Sequence, residues 1–133
     1  YRFKTKRNSL WHHCEQHHFN SPLMIEDQDI KSGKTNALIS YFWLIGVIIA
    51  YNSNANTKSQ FAYFHIRQSL GLWLTLMALG YTVGHFDNLQ ITISFWMAFG
   101  ILFIYGFSTA LSGKMIPIPL VGKFYQKAFK NIK

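Results

Sequence analysis

The chain has 133 residues, enough for one domain and not two. Half of it is hydrophobic, 17% is aromatic and only 14% is charged, against roughly 25% charged residues in soluble domains, which excludes an ordinary soluble composition. The net charge is +8, but the Lys and Arg residues flank the apolar runs and are nearly absent from them, which points to membrane orientation signals and an anionic leaflet rather than to nucleic acid.

Residues 1–34 read as a polar N-terminal extension with neither a helical stripe nor a strand alternation. Its basic start, Y-R-F-K-T-K-R, is followed by no apolar run or small-residue cleavage site, so it is not read as a signal peptide, and insertion is expected to use internal segments. Met24 opens M-I-E-D-Q-D-I-K-S-G-K-T-N-A, a natural start for a short polar leader. The residues before it are then an extension, a fragment of something longer, or a start-site artefact. They carry W-H-H-C-E-Q-H-H-F, in which His13 and His17 are four apart and would share a helix face, a spacing that binds zinc or copper. The pattern also resembles one histidine box of the membrane desaturase and hydroxylase families. Those enzymes combine several boxes, whereas this chain has six histidines in all, and His65 and His85 fall at opposite ends of one segment. Cys14 is the only cysteine, so no intrachain disulfide forms. S-G-K-T at Ser32–Thr35 lacks the first glycine of a phosphate-binding loop, since Gln28 stands there.

Residues 35–133 read as an all-α membrane domain of three transmembrane helices and a C-terminal amphipathic helix. The first apolar segment, 37–51, is uncharged, and its 15 residues cover roughly 22 Å, short of the roughly 30 Å hydrocarbon core. Thr35 and Asn36 are placed to cap its start. Asn52–Gln60 reads as a solvated loop. The second segment, 61–86, opens with aromatic and polar residues, F-A-Y-F-H-I-R-Q-S, suited to the membrane–water interface, and continues apolar. After a short turn from His85 to Gln90, the third segment, 91–111, gives 21 uncharged residues, about the length of a span. In the tail, a helix over 120–132 would set Leu120, Val121, Phe124, Tyr125, Ala128, Phe129 and Ile132 against Lys123, Lys127, Lys130 and Lys133, the pattern of a helix lying on an anionic leaflet. With three spans, residue 34 and the Phe86 turn share the outer side, and the Asn52 loop and the tail are cytoplasmic.

Three sets of residues stand out within this domain. His65, Gln68 and Ser69 share a helix face and would bond a neighbouring helix or line a wet cleft, with Arg67 reaching toward headgroups. Gly80 and Gly84 form G-x-x-x-G, and Gly106 with Ala110 repeats the small-residue spacing of close helix packing. Lys123, Lys127 and Lys130 form the lysine face of the tail. No paired carboxylates or nucleophile elbow is present, so no enzyme and no cofactor is expected.

N-A-L-I-S-Y-F, then F-A-Y-F-H-I-R-Q-S-L-G-L, a glycine-bearing third span and P-L-V-G-K-F-Y-Q-K-A-F-K-N-I together resemble the small bacterial relatives of the chloroplast inner-envelope twenty-kilodalton protein-import component. The resemblance covers residues 31–133, and F-x-x-F-H-x-R-Q at Phe61–Gln68 is its most specific part. It implies a small multi-pass helical protein of the bacterial inner membrane, an accessory subunit of a protein-translocation or envelope complex, with membrane-protein partners or further copies of itself. The chloroplast form has four spans, against three and an amphipathic tail here. A metal-binding protein or metalloenzyme built on His12–His18 and a small ion or solute permease using His65 and Gln68 are the alternatives.

Overall fold

A computed structural model describes residues 22–133, with side chains from residue 26 onward. The described chain is helical throughout: α1 (Pro22–Ile39), α2 (Trp43–Thr57), α3 (Gln60–Val83), α4 (Leu89–Leu111) and α5 (Gly122–Ala128). The histidine cluster and Cys14 lie outside the described residues.

The third predicted segment is α4, begun two residues earlier because Asn88 caps it, its side chain accepting from the Gln90 and Ile91 amides at 3.0 and 3.4 Å. The second is α3, capped by Ser59, whose hydroxyl accepts from Ala62 N at 3.2 Å. The chain turns between them at Gly84–Asn88. Together α3 and α4 make a long antiparallel hairpin, roughly 35 Å from end to end at 1.5 Å per residue.

Five expectations are corrected. Residues 22–34 are helical, so the boundary drawn at residue 34 falls inside α1. That helix is stabilised by packing rather than by a stripe of its own: Gly33 meets the start of α3 so closely that a Cβ there would stand 2.7 Å from Ser59 Cβ. Segment 37–51 is not one helix. It breaks at Ser40–Phe42, and α2 starts at Trp43, whose φ of 61° lies in the left-handed region that aromatic side chains seldom adopt. Thr35 and Asn36 therefore sit inside α1 and cap nothing. The predicted loop Asn52–Gln60 is helical through Thr57, and Asn54 and Ser59 are fully buried instead of solvated, because α1 lies over them. The tail helix covers Gly122–Ala128 rather than 120–132. Leu120 has φ 70°, which no α-helix accommodates, and the chain turns again after Phe129.

The core gathers Ala37, Tyr41, Phe61, Leu72, Phe99, Ala110, Ile118 and Tyr125, with a second cluster of Val47, Ala50, Ala62 and Ile66 between α2 and α3. Both draw on the first half of α3, so α1, α2, the end of α4 and the tail all pack around residues 61–72. The second half of α3 and most of α4 project beyond this head with apolar side chains facing outward, among them Met77, Tyr81, Trp96, Met97, Ile101 and Ile104.

Candidate functional site

The head is built around polar groups on the buried half of α3, and each makes a bond with a definite purpose. At its N-terminus the Asp29 carboxylate of α1 accepts from Gln60 N at 3.0 Å and Phe61 N at 2.8 Å. These are two of the amides that a helix start leaves without partners, and a negative charge is favoured there by the helix dipole. The Ser59 hydroxyl donates to the Asp29 carbonyl at 2.9 Å while accepting from Ala62 N. Asn54 completes the junction: its Oδ1 accepts from Ser59 N at 3.1 Å and its Nδ2 donates to Ser59 O at 3.0 Å. The middle of α1, the end of α2 and the start of α3 are thereby tied at one point.

One turn and a half further along, His65 is fully buried. Its Nε2 lies 3.1 Å from the Lys114 carbonyl, which can only accept, so Nε2 carries the proton and Nδ1 accepts from the Tyr41 hydroxyl at 3.2 Å. The ring packs against Phe61 with centroids 4.7 Å apart. His65 thus connects the α1–α2 turn to the chain leaving α4.

Gln68 and Arg67 hold the tail. Gln68 Oε1 accepts from Ile118 N at 2.6 Å. Arg67 donates from Nε and Nη2 to the Ile132 carbonyl at 3.1 and 2.7 Å and from Nη1 to Gln126 Oε1 at 3.4 Å. Gln126 Nε2 returns a bond to the Phe64 carbonyl at 2.8 Å. About two turns higher, Thr75 Oγ1 and Tyr125 Oη are 2.6 Å apart. His65, Arg67, Gln68 and Thr75 of α3 therefore each meet the α1–α2 turn or a residue between 114 and 132.

Of the four residues expected to form an interhelical cluster, His65, Gln68 and Arg67 are brought together on the tail. Ser69 is not: its hydroxyl bonds Ile66 O of its own helix at 3.1 Å. Arg67 is half-buried on the Ile132 carbonyl rather than reaching toward headgroups. Among the packing glycines, Gly106 is the close approach, where a Cβ would stand 2.8 Å from Ile118 Cδ1 and 2.9 Å from Tyr41 Oη. At Gly80 a Cβ would meet the Phe95 ring at an ordinary 3.8 Å, and at Gly84 it would meet only carbonyls of its own helix. Lys123, Lys127 and Lys130 are exposed. His85 sits at the hairpin tip with its Nδ1 2.8 Å from Tyr81 O, about 30 Å along α3 from His65.

Asp29, Tyr41, Asn54 and Gln126 are the functional partners that the sequence conceals. Ser59 carries a legible signal, a serine just ahead of an apolar helix. Chemically, the arrangement holds backbone in place. Both His65 nitrogens are engaged, and among the described residues the buried side-chain donors without a partner are Gln68 Nε2 and Trp73 Nε1. Among the described residues, no three His, Cys, Asp or Glu side chains gather as a metal site. Searches against protein-family models, curated proteins and solved structures returned no match to this chain.

Proposed function

We propose that the chain is a small non-enzymatic integral membrane protein of a bacterial inner membrane, acting as an accessory subunit of a protein-translocation or envelope complex. The observation that carries the membrane reading is α4. Among the described residues it is the one helix long and apolar enough to cross a bilayer, and only 11% of its most apolar window is buried. The core helix of a soluble protein of that composition would be mostly buried. Its partner α3 presents Leu74, Met77, Leu79 and Tyr81 to the outside. In water, so much contiguous apolar surface would drive association; in lipid it is the expected exterior.

Charge supports the same reading. No Lys or Arg occurs from Gln68 through Gly113, and the hairpin tip carries Asp87. The basic residues lie in the head and tail, which favours a cytoplasmic head and tail with the tip across the membrane. The tail supports an interfacial role: Leu120 is 96% exposed and Phe124 is exposed on α5 beside Lys123 and Lys127. The translocation role rests on the F-x-x-F-H-x-R-Q resemblance. The network described above gives that motif a task, since its His, Arg and Gln fix the tail against α3.

Alkaline carbonate extraction of native membranes, followed by purification in mild detergent and mass spectrometry of whatever accompanies the chain, tests both parts. The reading expects resistance to carbonate and a stoichiometric secretion or envelope complex. Release by carbonate refutes the membrane part, and a lone monomer refutes the subunit part.

A further inference from the structure

Segment 37–51 is apolar enough to suggest a crossing, yet the structure turns it back. Asp29 bonds the start of α3, and a Cβ on Gly113, just past the end of α4, would lie 3.1 Å from Ile30. Residues 29–30, 59–61 and 113 therefore lie at one end of the molecule. From there α1 runs inward for about ten residues, roughly 15 Å. At the turn, Tyr41 meets Phe103 and Phe107 edge-on, with centroids 5.7 and 6.0 Å apart, and Trp43 stacks on Trp73 at 6.1 Å. The following helix, α2, then returns to Lys58 at the level of Asp29, joined to the start of α3 by the Asn54–Ser59 bonds. Beyond the level of Trp73, α3 continues for ten more residues to Val83, roughly another 15 Å.

We infer that α1 and α2 form a re-entrant hairpin whose tip docks into the acyl-chain region of the cytoplasmic leaflet, so that the chain crosses the membrane twice and not three times. This rests on the membrane reading of α3 and α4. If the α3–α4 tip reaches the far interface, a turn 15 Å short of it lies near the middle of a roughly 30 Å core, so the hairpin occupies a single leaflet. The occupant of its surface is lipid. Phe42, Trp43, Ile45, Ile48 and Ile49 are all more than half exposed near the turn, while Lys31, Lys34 and Lys58 lie toward the open end, where anionic headgroups would meet them. The irregular backbone at Ser40–Phe42 is compatible with this depth because Ser40 and Tyr41 are buried in protein and Ser40 Oγ donates to Ala37 O at 2.7 Å. As a consequence, residues 22–34 and the tail share one side.

Single cysteines in the full chain, in a Cys14→Ser background, test this with a membrane-impermeant maleimide on spheroplasts and on inverted vesicles. The variants are Ser32→Cys, Lys58→Cys, Asp87→Cys and Lys130→Cys, all at exposed positions. The inference expects positions 32, 58 and 130 to label together from the cytoplasmic face, with 87 alone on the other. Position 32 labelling with 87, opposite 58 and 130, overturns it in favour of three spans. All four labelling from one face would refute the spanning α3–α4 hairpin instead. A nitroxide at Ile45→Cys then decides the tip independently: faster relaxation by oxygen than by a soluble nickel chelate supports leaflet insertion, and the reverse order overturns it.

Discussion

Removing the Tyr41 hydroxyl and the His65 imidazole, singly and together, tests whether the buried bond between them fastens the α1–α2 turn to α3. Tyr41→Phe keeps the ring that packs on Phe103 and Phe107 but leaves His65 Nδ1 facing an apolar edge. A buried acceptor left without its partner costs about 1–3 kcal/mol, and burial of both residues puts the expected loss at about 1.5 kcal/mol. His65→Phe orphans the Tyr41 hydroxyl, leaves the Lys114 carbonyl without its donor and enlarges a packed ring, for about 2–4 kcal/mol in all. In the double variant neither half of the Tyr41–His65 bond remains to be orphaned. It should be less destabilised than the sum of the singles by about 1 kcal/mol, well outside the roughly 0.3–0.5 kcal/mol scatter of independent sites. Reversible unfolding in mixed micelles, titrated with dodecyl sulfate, gives the three differences. Additivity within that scatter would refute the assigned bond and the tautomer derived from it.

Asp29→Ala should cost about 2 kcal/mol in the same titration, because it strips the charge-assisted cap from Gln60 N and leaves the amide of fully buried Phe61 without a partner; an unchanged midpoint would contradict the cap. At Gly71 an added Cβ would stand 2.6 Å from Tyr125 Cδ2, so Gly71→Ala should push Tyr125 off Thr75 at about 1–3 kcal/mol, read as a rise in Tyr125 exposure to hydroxyl-radical footprinting. Arg67→Lys keeps the charge but loses the fork on the Ile132 carbonyl. It should leave the midpoint within about 1 kcal/mol while trypsin cleaves faster at exposed Lys130, and an unchanged cleavage rate would show that Arg67 does not hold the segment around Ile132.

The sequence made α3 and α4 legible because their signals are local: a long apolar run after the aromatic and polar start of one, 21 uncharged residues in the other, and a short turn between them. Polar residues 65–69 were legible as a cluster for the same reason, since helical spacing puts them near one another. Their partners were not, because Lys114 O, Ile118 N and Ile132 O are backbone atoms 49 to 65 residues away, and backbone atoms leave no trace in composition. Helix α1 was hidden because its sequence has no apolar stripe; it is helical because it packs on α2, α3 and α4 and because Asp29 serves another helix 31 residues on. The break at Ser40–Phe42 was hidden because neither Gly nor Pro marks it. It follows from Tyr41 turning inward to His65 while Phe42 and Trp43 turn out, a choice made by tertiary contacts within an unbroken apolar run. The Asn-rich stretch misled in the opposite direction, since Asn54 is buried as the clasp of Ser59 rather than solvated.

The central claim is that α4 crosses the bilayer with its exposed apolar side in lipid. Nitroxides placed one at a time at Ile93, Met97, Ile101 and Ile104 of the reconstituted chain, all on that exposed surface, report it directly through relaxation by oxygen and by a water-soluble nickel chelate. The account predicts oxygen dominance at all four positions, with depth greatest in the middle of the series. Chelate dominance along the whole series would place this face against water and contradict the account.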